Sequence, residues 1–462
     1  MPLYVVFMRR DHKIDMTQGA LLPKILLFAL PLMASSTLQL LFNAADIVVV
    51  GRFAGANALA GVGANSSLIN LFVNIFLGLS IGANVVAAKY MGARKEELVS
   101  QTVHTAMLIA LYGGIIILVL GFFIASPVLT AMGTPEEVLS LAVLYLRIYF
   151  CGMPAMLLYN FGASLLRAIG DTRRPLVYLF IAGVFNVALN LLFVIVFHMS
   201  VAGVALATVL SQCISTALVI RCLVRSEGSI RLILSRSTLV INSERFGEIF
   251  KIGIPAGLQG VVFSLSNILI QSSVNSFGAV AVAGNTAGSN IEGFIYTAMN
   301  ASYQACVSFT SQNFGARKPD RILRVMLLCV ACVFTTGIVL GYGAYFGGNT
   351  LLGLYSDSPE VIAVGMRRLT VILTTYFLCG IMEIPVGTLR GMGYGVVPMV
   401  ISLLGACAFR IVWILTVFAS VHTLESLYVS YPISWAITGT AQFIAAALAY
   451  IKYKKRITVD AV

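Results

Sequence analysis

Three carboxylic acids lie within apolar stretches of the sequence: Asp46, Glu292 and Glu383. A carboxylate in hydrocarbon costs about 3 kcal/mol, so acids in such places mark ion or substrate pathways more often than packing. Their chemistry is the uptake and release of a proton or a cation. The four histidines are scattered and form no catalytic set with these acids. We therefore expect a transport protein and no enzyme activity.

Long apolar helices must position these acids. The chain has 462 residues, 59% hydrophobic and 10% charged, and a mean hydropathy of +0.94. This composition is typical of a polytopic membrane protein. Twelve segments are long enough to cross about 30 Å of hydrocarbon as helices, with predicted bounds of 23–50, 58–86, 103–125, 138–160, 176–197, 202–223, 247–275, 282–310, 324–346, 361–385, 398–420 and 428–451.

The basic residues between these spans predict the orientation of the chain. If the N-terminus is cytoplasmic, 25 of the 30 Lys and Arg residues fall in inside segments, among them Arg9, Arg10, Lys13 and Arg236. Only Arg52 falls outside. Because cytoplasmic loops of membrane proteins are enriched in Lys and Arg, both termini are expected in the cytoplasm. The net charge of +12 thus reflects topology, and no nucleic-acid partner is expected.

The chain also repeats itself. A Leu-Arg-x-x-Gly motif followed by proline occurs at 166–170 and 389–393, and Gly-Ala-Arg-Lys occurs at 92–95 and 315–318. The offsets are 223 residues for these motifs and 224 for the prolines Pro31 and Pro255, and they divide the chain into two homologous halves of six helices, which makes the repeat parallel. The predicted segments are a cytoplasmic N-terminal segment 1–22, a first lobe 23–224, a cytoplasmic linker 225–246, a second lobe 247–452 and a cytoplasmic tail 453–462. The basic linker is expected to be solvated, with contact to anionic lipid headgroups as the alternative.

Several of these residues together resemble the multidrug and toxic compound extrusion (MATE) family. The resemblance lies in Pro31, the stretch Asn43 to Arg52 with Asp46 inside it, the doubled Leu-Arg-x-x-Gly…Pro motif, and Gln312-Asn313 before Gly315. It runs from about Thr17 to Arg456. The major facilitator group also has twelve spans in two parallel halves. It is marked by an Asp in the loop after its second helix, and the loop 89–95 has none.

The resemblance implies an all-α integral membrane protein with two six-helix lobes around a central cleft. It also implies an antiporter of the inner (plasma) membrane that exports bulky, cationic organic compounds in exchange for H⁺ or Na⁺ by alternating access. We expect a monomer whose partners are small organic substrates and the lipid bilayer, with no cofactor beyond the coupling ion. The alternative is a lipid-linked oligosaccharide flippase of the same superfamily. Those proteins often have extra spans and a basic cavity. The three acids within the spans of this chain indicate an acidic cavity instead.

The family's cation site in the first lobe matches Asp46, with Asn43 in the same stretch. The resemblance offers partners from the fifth and sixth helices, here Asn186, Asn190 and Thr208. Asn186 and Asn190 are four residues apart and so share a helix face. Several members carry an acid where this chain has Asn190, which leaves Asp46 as the lone carboxylate within the predicted spans of this lobe. A sodium ion would use the oxygens of Asp46, Asn186 and Asn190, while a proton needs only the carboxylate.

The second lobe supplies candidates for a cargo site. Glu292 and Glu383 could carry its charge, and Tyr296, Met299 and Tyr303 could offer aromatic and thioether surfaces. For Glu292 the alternative is a buried partner for an arginine, and for Glu383 a salt bridge with Arg390. Two further arginines deep in their spans, Arg147 and Arg410, are expected to face a cavity or an acid.

Two prolines are candidate hinges, Pro31 in the first helix of the first half and Pro255 in the first helix of the second. Proline removes one backbone hydrogen bond and permits a kink. The hypothesis is that bending at Pro31 moves Asp46 between exposed and occluded surroundings. A static kink is the alternative.

Overall fold

A computed structural model describes residues 14–235 and 238–460. Within these two ranges the regular structure is entirely helical. Four basic residues used to predict the orientation lie outside the described ranges: Arg9, Arg10, Lys13 and Arg236. The same is true of residues 1–13 of the predicted N-terminal segment and residues 461–462 of the predicted tail.

The first lobe contains six helices, each overlapping a predicted span. They are α1 Leu21–Phe53, α2 Ala56–Gly92, α3 Glu96–Ala131, α4 Glu136–Cys151 continued as Met153–Ala168, α5 Arg173–Leu191 and α6 Ser200–Arg225. The two pieces of α4 meet at an angle of 47°. Pro154 follows the break and has no amide hydrogen for the helical ladder, which accounts for a bend there. A π-helical segment, Leu192–Val196, extends α5.

The second lobe repeats this arrangement. Its helices are α7 Ser243–Asn275, α8 Ala279–Gly315, α9 Pro319–Phe346, α10 Pro359–Gly391, α11 Val396–Phe418 and α12 Leu424–Asp460. Two π-helical segments, Leu403–Ala408 and Ile414–Phe418, interrupt α11. The predicted all-α architecture of two six-helix lobes is confirmed.

Most of these helices are apolar enough to span a membrane. In the described ranges, ten qualify individually, and the two pieces of α4 qualify together as an eleventh. Helix α8 is 37 residues long but more polar. Its polarity follows from its position inside the bundle, where Asn285, Ser308 and Gln312 are buried. The chain is thus a multi-pass membrane protein.

The lobes meet where α2 packs against α7 and where α8 packs against α1 and α2. A β-carbon on Gly78 would collide with the backbone of Gly257, and one on Gly92 would collide with the carbonyl of Gln312. Small residues at helix crossings allow backbones to approach this closely in membrane proteins. Glycine is therefore required at the lobe interface by space rather than by backbone conformation.

Both described chain ends lie against the same end of α8, which we call the termini side. Asn313 Nδ2 donates to the carbonyl of the fully buried Met16 at 3.1 Å. The hydroxyl of Tyr453 donates to the carbonyl of Phe314 at 2.6 Å. The predicted cytoplasmic tail 453–462 is not a separate segment, because α12 continues to Asp460. The N-terminal segment likewise packs between the lobes, and α1 begins at Leu21.

The linker between the lobes is largely exposed but is anchored to the first lobe at a few points. Ile230 and Leu232 are buried. His104 Nε2 accepts a hydrogen bond from the backbone N–H of Ile233 at 3.0 Å, and Thr105 Oγ1 accepts one from Asn242 at 3.1 Å. The expectation of a solvated linker holds for its exposed basic residues Arg225 and Arg231, while Ile230 and Leu232 pack on one end of α3.

The glycine contact between α2 and α7 predicts a position-specific effect of one methyl group. We expect Gly78→Ala to lower the free energy of unfolding by about 1–3 kcal/mol, the usual cost of overpacking. The measurement is thermal or chemical unfolding of the full chain in detergent. Gly63 is the matched control on the same helix, since nothing lies within 4 Å of a β-carbon built there. Equal tolerance of Gly78→Ala and Gly63→Ala would contradict the close crossing.

Candidate functional site

The carboxylate of Asp46 lies between α1 and α5. Its Oδ1 accepts a hydrogen bond from Asn190 Nδ2. The same amide nitrogen lies 3.4 Å from Asn186 Oδ1, and both asparagines are buried. The structure therefore brings together the three residues that the sequence proposes as sodium ligands.

Local helix geometry explains this meeting. Asn186 and Asn190 are one helical turn apart, so their side chains leave the same face of α5. That face packs against α1, which carries Asp46. The π-helical segment Leu192–Val196 begins two residues after Asn190. Single π-helical turns of this kind are frequent at functional sites.

One oxygen in this cluster lacks a partner. Among the described residues, Asn190 Oδ1 is buried without any hydrogen bond. A buried acceptor of this kind costs about 1–3 kcal/mol unless something donates to it or coordinates it. Carboxylate and carbonyl oxygens are the ligands that hard cations prefer. The donor set of Asp46, Asn186 and Asn190 thus fits either a transported Na⁺ or a proton on the carboxyl group.

Two further predicted members of the cation site do not join it. The Thr208 hydroxyl donates to the carbonyl of Val204 in its own helix at 3.0 Å. Asn43 is exposed and lines the central cleft instead. Neither residue forms a hydrogen bond with Asp46 among the contacts described, so the predicted five-residue cluster reduces to three.

Sequence reasoning missed two tyrosines of α4. Tyr145 and Tyr149 stack with ring centroids 6.0 Å apart, and both lie within electrostatic reach of the Asp46 carboxylate. Their spacing of four residues places them on one face of α4. That spacing was visible in the sequence, but aromatic pairs on membrane helices usually pack, so it did not indicate the site.

A central cleft of about 970 Å³ separates the lobes. Its walls come from α1, α2, α4 and α5 of the first lobe and from α7, α8, α10, α11 and α12 of the second. A volume of this size is typical of sites for small organic molecules. Asp46, Asn186 and Asn190 are not among the described residues that line it, so the cation cluster lies outside the wall of the cleft.

Four of the five predicted cargo residues line the cleft. They are Glu292, Tyr296, Tyr303 and Glu383. Met299 does not: its side chain is buried, and its sulfur lies beside Gly380 of α10. The prediction for Met299 is wrong, because this residue points from α8 toward α10 rather than into the cleft.

Glu292 is engaged by an arginine. Its two carboxylate oxygens accept from Arg368 Nε and Nη2, each at 2.7 Å, in a bidentate ion pair. Arg368 Nη1 also donates to Asn285 Oδ1 at 2.6 Å. Parallel hydrogen bonds between these planar groups are the strongest ion-pair geometry available to proteins. Glu292 is thus neutralised within the protein.

Glu383 has a different environment. Its Oε1 accepts from the Tyr296 hydroxyl at 3.2 Å, and it forms no ion pair among the described residues. The alternative of a salt bridge with Arg390 is not seen among the described residues, since Arg390 donates to the Tyr303 hydroxyl and, at 2.8 Å, to Gln259 Oε1. Glu383 is therefore the acid of the cleft that no arginine neutralises directly.

Among the described residues, Arg147 pairs with no acid and does not line the central cleft. Its guanidinium lies 4.9 Å from the centre of the Phe122 ring, and Nε donates to the Phe122 carbonyl at 3.3 Å. Arg410 does face the cleft, where the lining holds four arginines and two glutamates: Arg167, Arg368, Arg390, Arg410, Glu292 and Glu383. The expectation of an acidic cavity is wrong, because the basic residues outnumber the acidic ones and Asp46 lies elsewhere.

The comparisons with known proteins agree with this architecture. The family model described as MatE matches residues 31–192 and 255–416, which together make up more than half of the chain. Two curated relatives come from Bacillus subtilis (strain 168). The chain is 27% identical to the probable multidrug resistance protein YoeA over 440 residues, 94% of each chain. It is 29% identical to the probable multidrug resistance protein YpnP over 398 residues, 86% of this chain and 88% of that one.

A solved structure shows the same fold. It is described as the outward-facing conformation of a multidrug resistance MATE family transporter of the MOP superfamily. The two structures superpose with a TM-score of 0.90 at 19% identity, over 97% of this chain and 100% of that chain.

The buried ion pair predicts a large penalty when only one partner is removed. Glu292→Gln should lower the free energy of unfolding by about 3–5 kcal/mol, because it leaves the Arg368 charge uncompensated. The double variant Glu292→Gln, Arg368→Met should recover most of that loss. Asp320→Asn is the control, since Asp320 belongs to an exposed pair with Lys454 at 3.0 Å, and we expect no measurable change. A double variant as unstable as the single one would contradict this assignment.

Proposed function

We propose that this chain, which belongs to the MatE family of membrane transporters, exports bulky organic compounds in exchange for H⁺ or Na⁺. The observation that best supports ion exchange is the Asp46 carboxylate, which accepts a hydrogen bond from Asn190 within membrane-spanning helices. An ionisable group in such a place is a functional site by default. The names of the relatives from Bacillus subtilis support multidrug efflux as the activity.

The coupling ion would bind at Asp46. The unpartnered Oδ1 of Asn190 and the side chain of Asn186 add neutral oxygens beside one negative charge. Such a set could coordinate Na⁺, with water or backbone oxygens completing the shell, and the carboxylate alone could carry H⁺. No further cofactor is proposed.

The direction of transport follows from the proposed topology. The basic segments support a cytoplasmic position for the termini side in the cell's inner (plasma) membrane. On that side the lobes are in close contact through glycines of α2 and α7. We therefore assign this arrangement to an outward-facing state of a monomer that works by alternating access. Compounds would be released from the cleft as a cation enters the first lobe.

Cationic organic compounds would find one negative group in the cleft. Glu383 lies on its wall, and its described hydrogen bonds come from neutral groups, the Tyr296 hydroxyl and the Asn300 side chain. Tyr376 and Trp435 add aromatic faces to the same lining. A cation held over such faces gains roughly 0.5–2 kcal/mol. A flippase for lipid-linked oligosaccharides is not favoured, because the relatives carry multidrug resistance names and no extra spans are found in the described ranges.

Replacing the central acid tests ion coupling directly. In proteoliposomes, cationic dye transport is driven first by ΔpH alone and then by a Na⁺ gradient alone, which identifies the ion. We expect Asp46→Asn to lower transport driven by that ion by about tenfold or more, a usual size for a coupling energy. Glu425→Gln is the control, because Glu425 pairs at 3.5 Å with Arg367 at an exposed site. Full ion-driven transport by Asp46→Asn would refute the assignment.

The hinge hypothesis for α1 has its own test. Pro31→Ala restores an amide hydrogen to the helical ladder, which should stiffen α1 and lower ion-driven turnover by about tenfold. Pro127→Ala in α3 changes the same residue type in an exposed place away from the cleft and should leave turnover unchanged. Unchanged turnover in both variants would mean that the kink at Pro31 is static.

A further inference from the structure

Arg410 is a buried arginine without a counter-ion. Its side chain lies in α11 and the residue is 3% exposed. Nε donates to Ser434 Oγ at 3.0 Å, and the guanidinium lies 4.1 Å from the centre of the Tyr431 ring and 5.9 Å from that of Trp435. No ion pair of Arg410 occurs in the described ranges. The aromatic rings and one hydroxyl therefore hold the charge in place without neutralising it.

A second arginine approaches the same ring. The Arg368 guanidinium lies 5.6 Å from the Tyr431 centroid, so one ring is shared by two positive groups. Glu292 neutralises Arg368 with both of its oxygens. This leaves Arg410 beside another cation with no negative group of its own, an arrangement that favours the arrival of an anion.

Arg410 lines the cleft and has N–H groups without a described hydrogen bond. A guanidinium has five N–H groups, and only the Nε–H of Arg410 has a described hydrogen bond. Arg410 lines the cleft together with Tyr431 and Trp435. The two Nη groups are thus available for a ligand there. A guanidinium fork matches a carboxylate in geometry as well as charge.

The internal repeat allows the position of Arg410 to be compared with the corresponding position in the first lobe. An offset of 223 or 224 residues places Arg410 opposite Val187 or Asn186 of α5. The position of Asp46 corresponds to Leu269 or Ile270, which are apolar. The first lobe therefore has an acid and neutral amides where the second has an arginine and no acid on the matching helix. The two lobes offer sites of opposite charge.

The geometry points to a carboxylate-binding subsite, formed by Arg410 with the faces of Tyr431 and Trp435, for one end of the cargo. This inference rests on the proposed function and narrows its substrates to aromatic compounds that carry an anionic group. Glu383 remains available for a basic group on the same molecule. The preferred cargo is then zwitterionic, with a carboxylate at Arg410, rather than purely cationic.

Two rhodamine dyes that differ only at one group test this subsite. Rhodamine 110 has a free carboxylate and rhodamine 123 is its methyl ester, while the cationic ring system is shared. In proteoliposomes of the full chain, Arg410→Gln should raise the half-saturating concentration of rhodamine 110 by about tenfold, the usual loss for a charged hydrogen bond. That of rhodamine 123 should change less than about twofold. Arg410→Lys keeps the charge without the fork, and we expect an intermediate shift for rhodamine 110.

Arg147→Gln is the control, because Arg147 also lies within its span but is only half-buried and contacts Phe122 away from the cleft. It should leave the preference between the dyes unchanged. An equal effect of Arg410→Gln on both dyes, or no effect on either, would overturn the carboxylate subsite while leaving the exporter proposal intact.

Binding can be measured without transport. Trp413 and Trp435 are the only tryptophans of the chain, so Trp413→Phe makes Trp435 the sole reporter beside Arg410. Rhodamine 110 should quench its emission at lower concentration than rhodamine 123, and Arg410→Lys should reduce that difference. If the wild-type chain transports neither dye but this difference is seen, the exporter proposal fails and the subsite stands. If transport occurs but the difference is absent, the subsite fails.

Discussion

The cost of holding charge within the bilayer is the constraint on which the rest of this structure depends. An isolated ionised group in hydrocarbon is unstable by several kcal/mol, so it must be paired, hydrogen-bonded or placed beside water. The chain uses all three solutions. Glu292 is paired with Arg368, Asp46 is bonded to Asn190, and Arg410 faces the cleft. Only the ion pair is complete within the protein, and the other two groups are left able to respond to a ligand.

The two lobes have the same arrangement of helices but different polar residues. Repeated backbone geometry brings α5 against α1 in the first lobe and α11 near α7 in the second. In the first lobe this meeting joins Asp46 to two asparagines, while Arg410 occupies the corresponding turn of the second. A fold built from a duplicated unit can in this way place side chains of opposite charge at corresponding positions without any change in architecture.

The fold could be predicted from the sequence to a large extent, because hydropathy and the repeat are local signals. The Asp46, Asn186 and Asn190 cluster was predicted from the resemblance to the MATE family, and the spacing of the two asparagines showed only that they share one face of a helix. The alternative pairing of Glu383 with Arg390 does not form for a geometric reason: seven residues along a helix separate two backbone positions by about 10.5 Å. The true partner of Glu292, Arg368, is 76 residues away in sequence, and no local pattern could indicate it.

The position of α1 explains how one carboxylate could influence both lobes. This helix carries Asp46 and Pro31, and its Phe28 ring packs edge-to-face on Phe309 of α8 at 5.6 Å. The residues just before it bond to α8 and to Lys318 on the termini side. A change in the shape of α1 that follows loss or gain of a cation at Asp46 would act on these contacts with the second lobe. Helix α1 runs from the cation cluster to the end of the cleft where the lobes are in contact. A single helix would therefore be enough to connect ion binding at Asp46 with opening of the cleft.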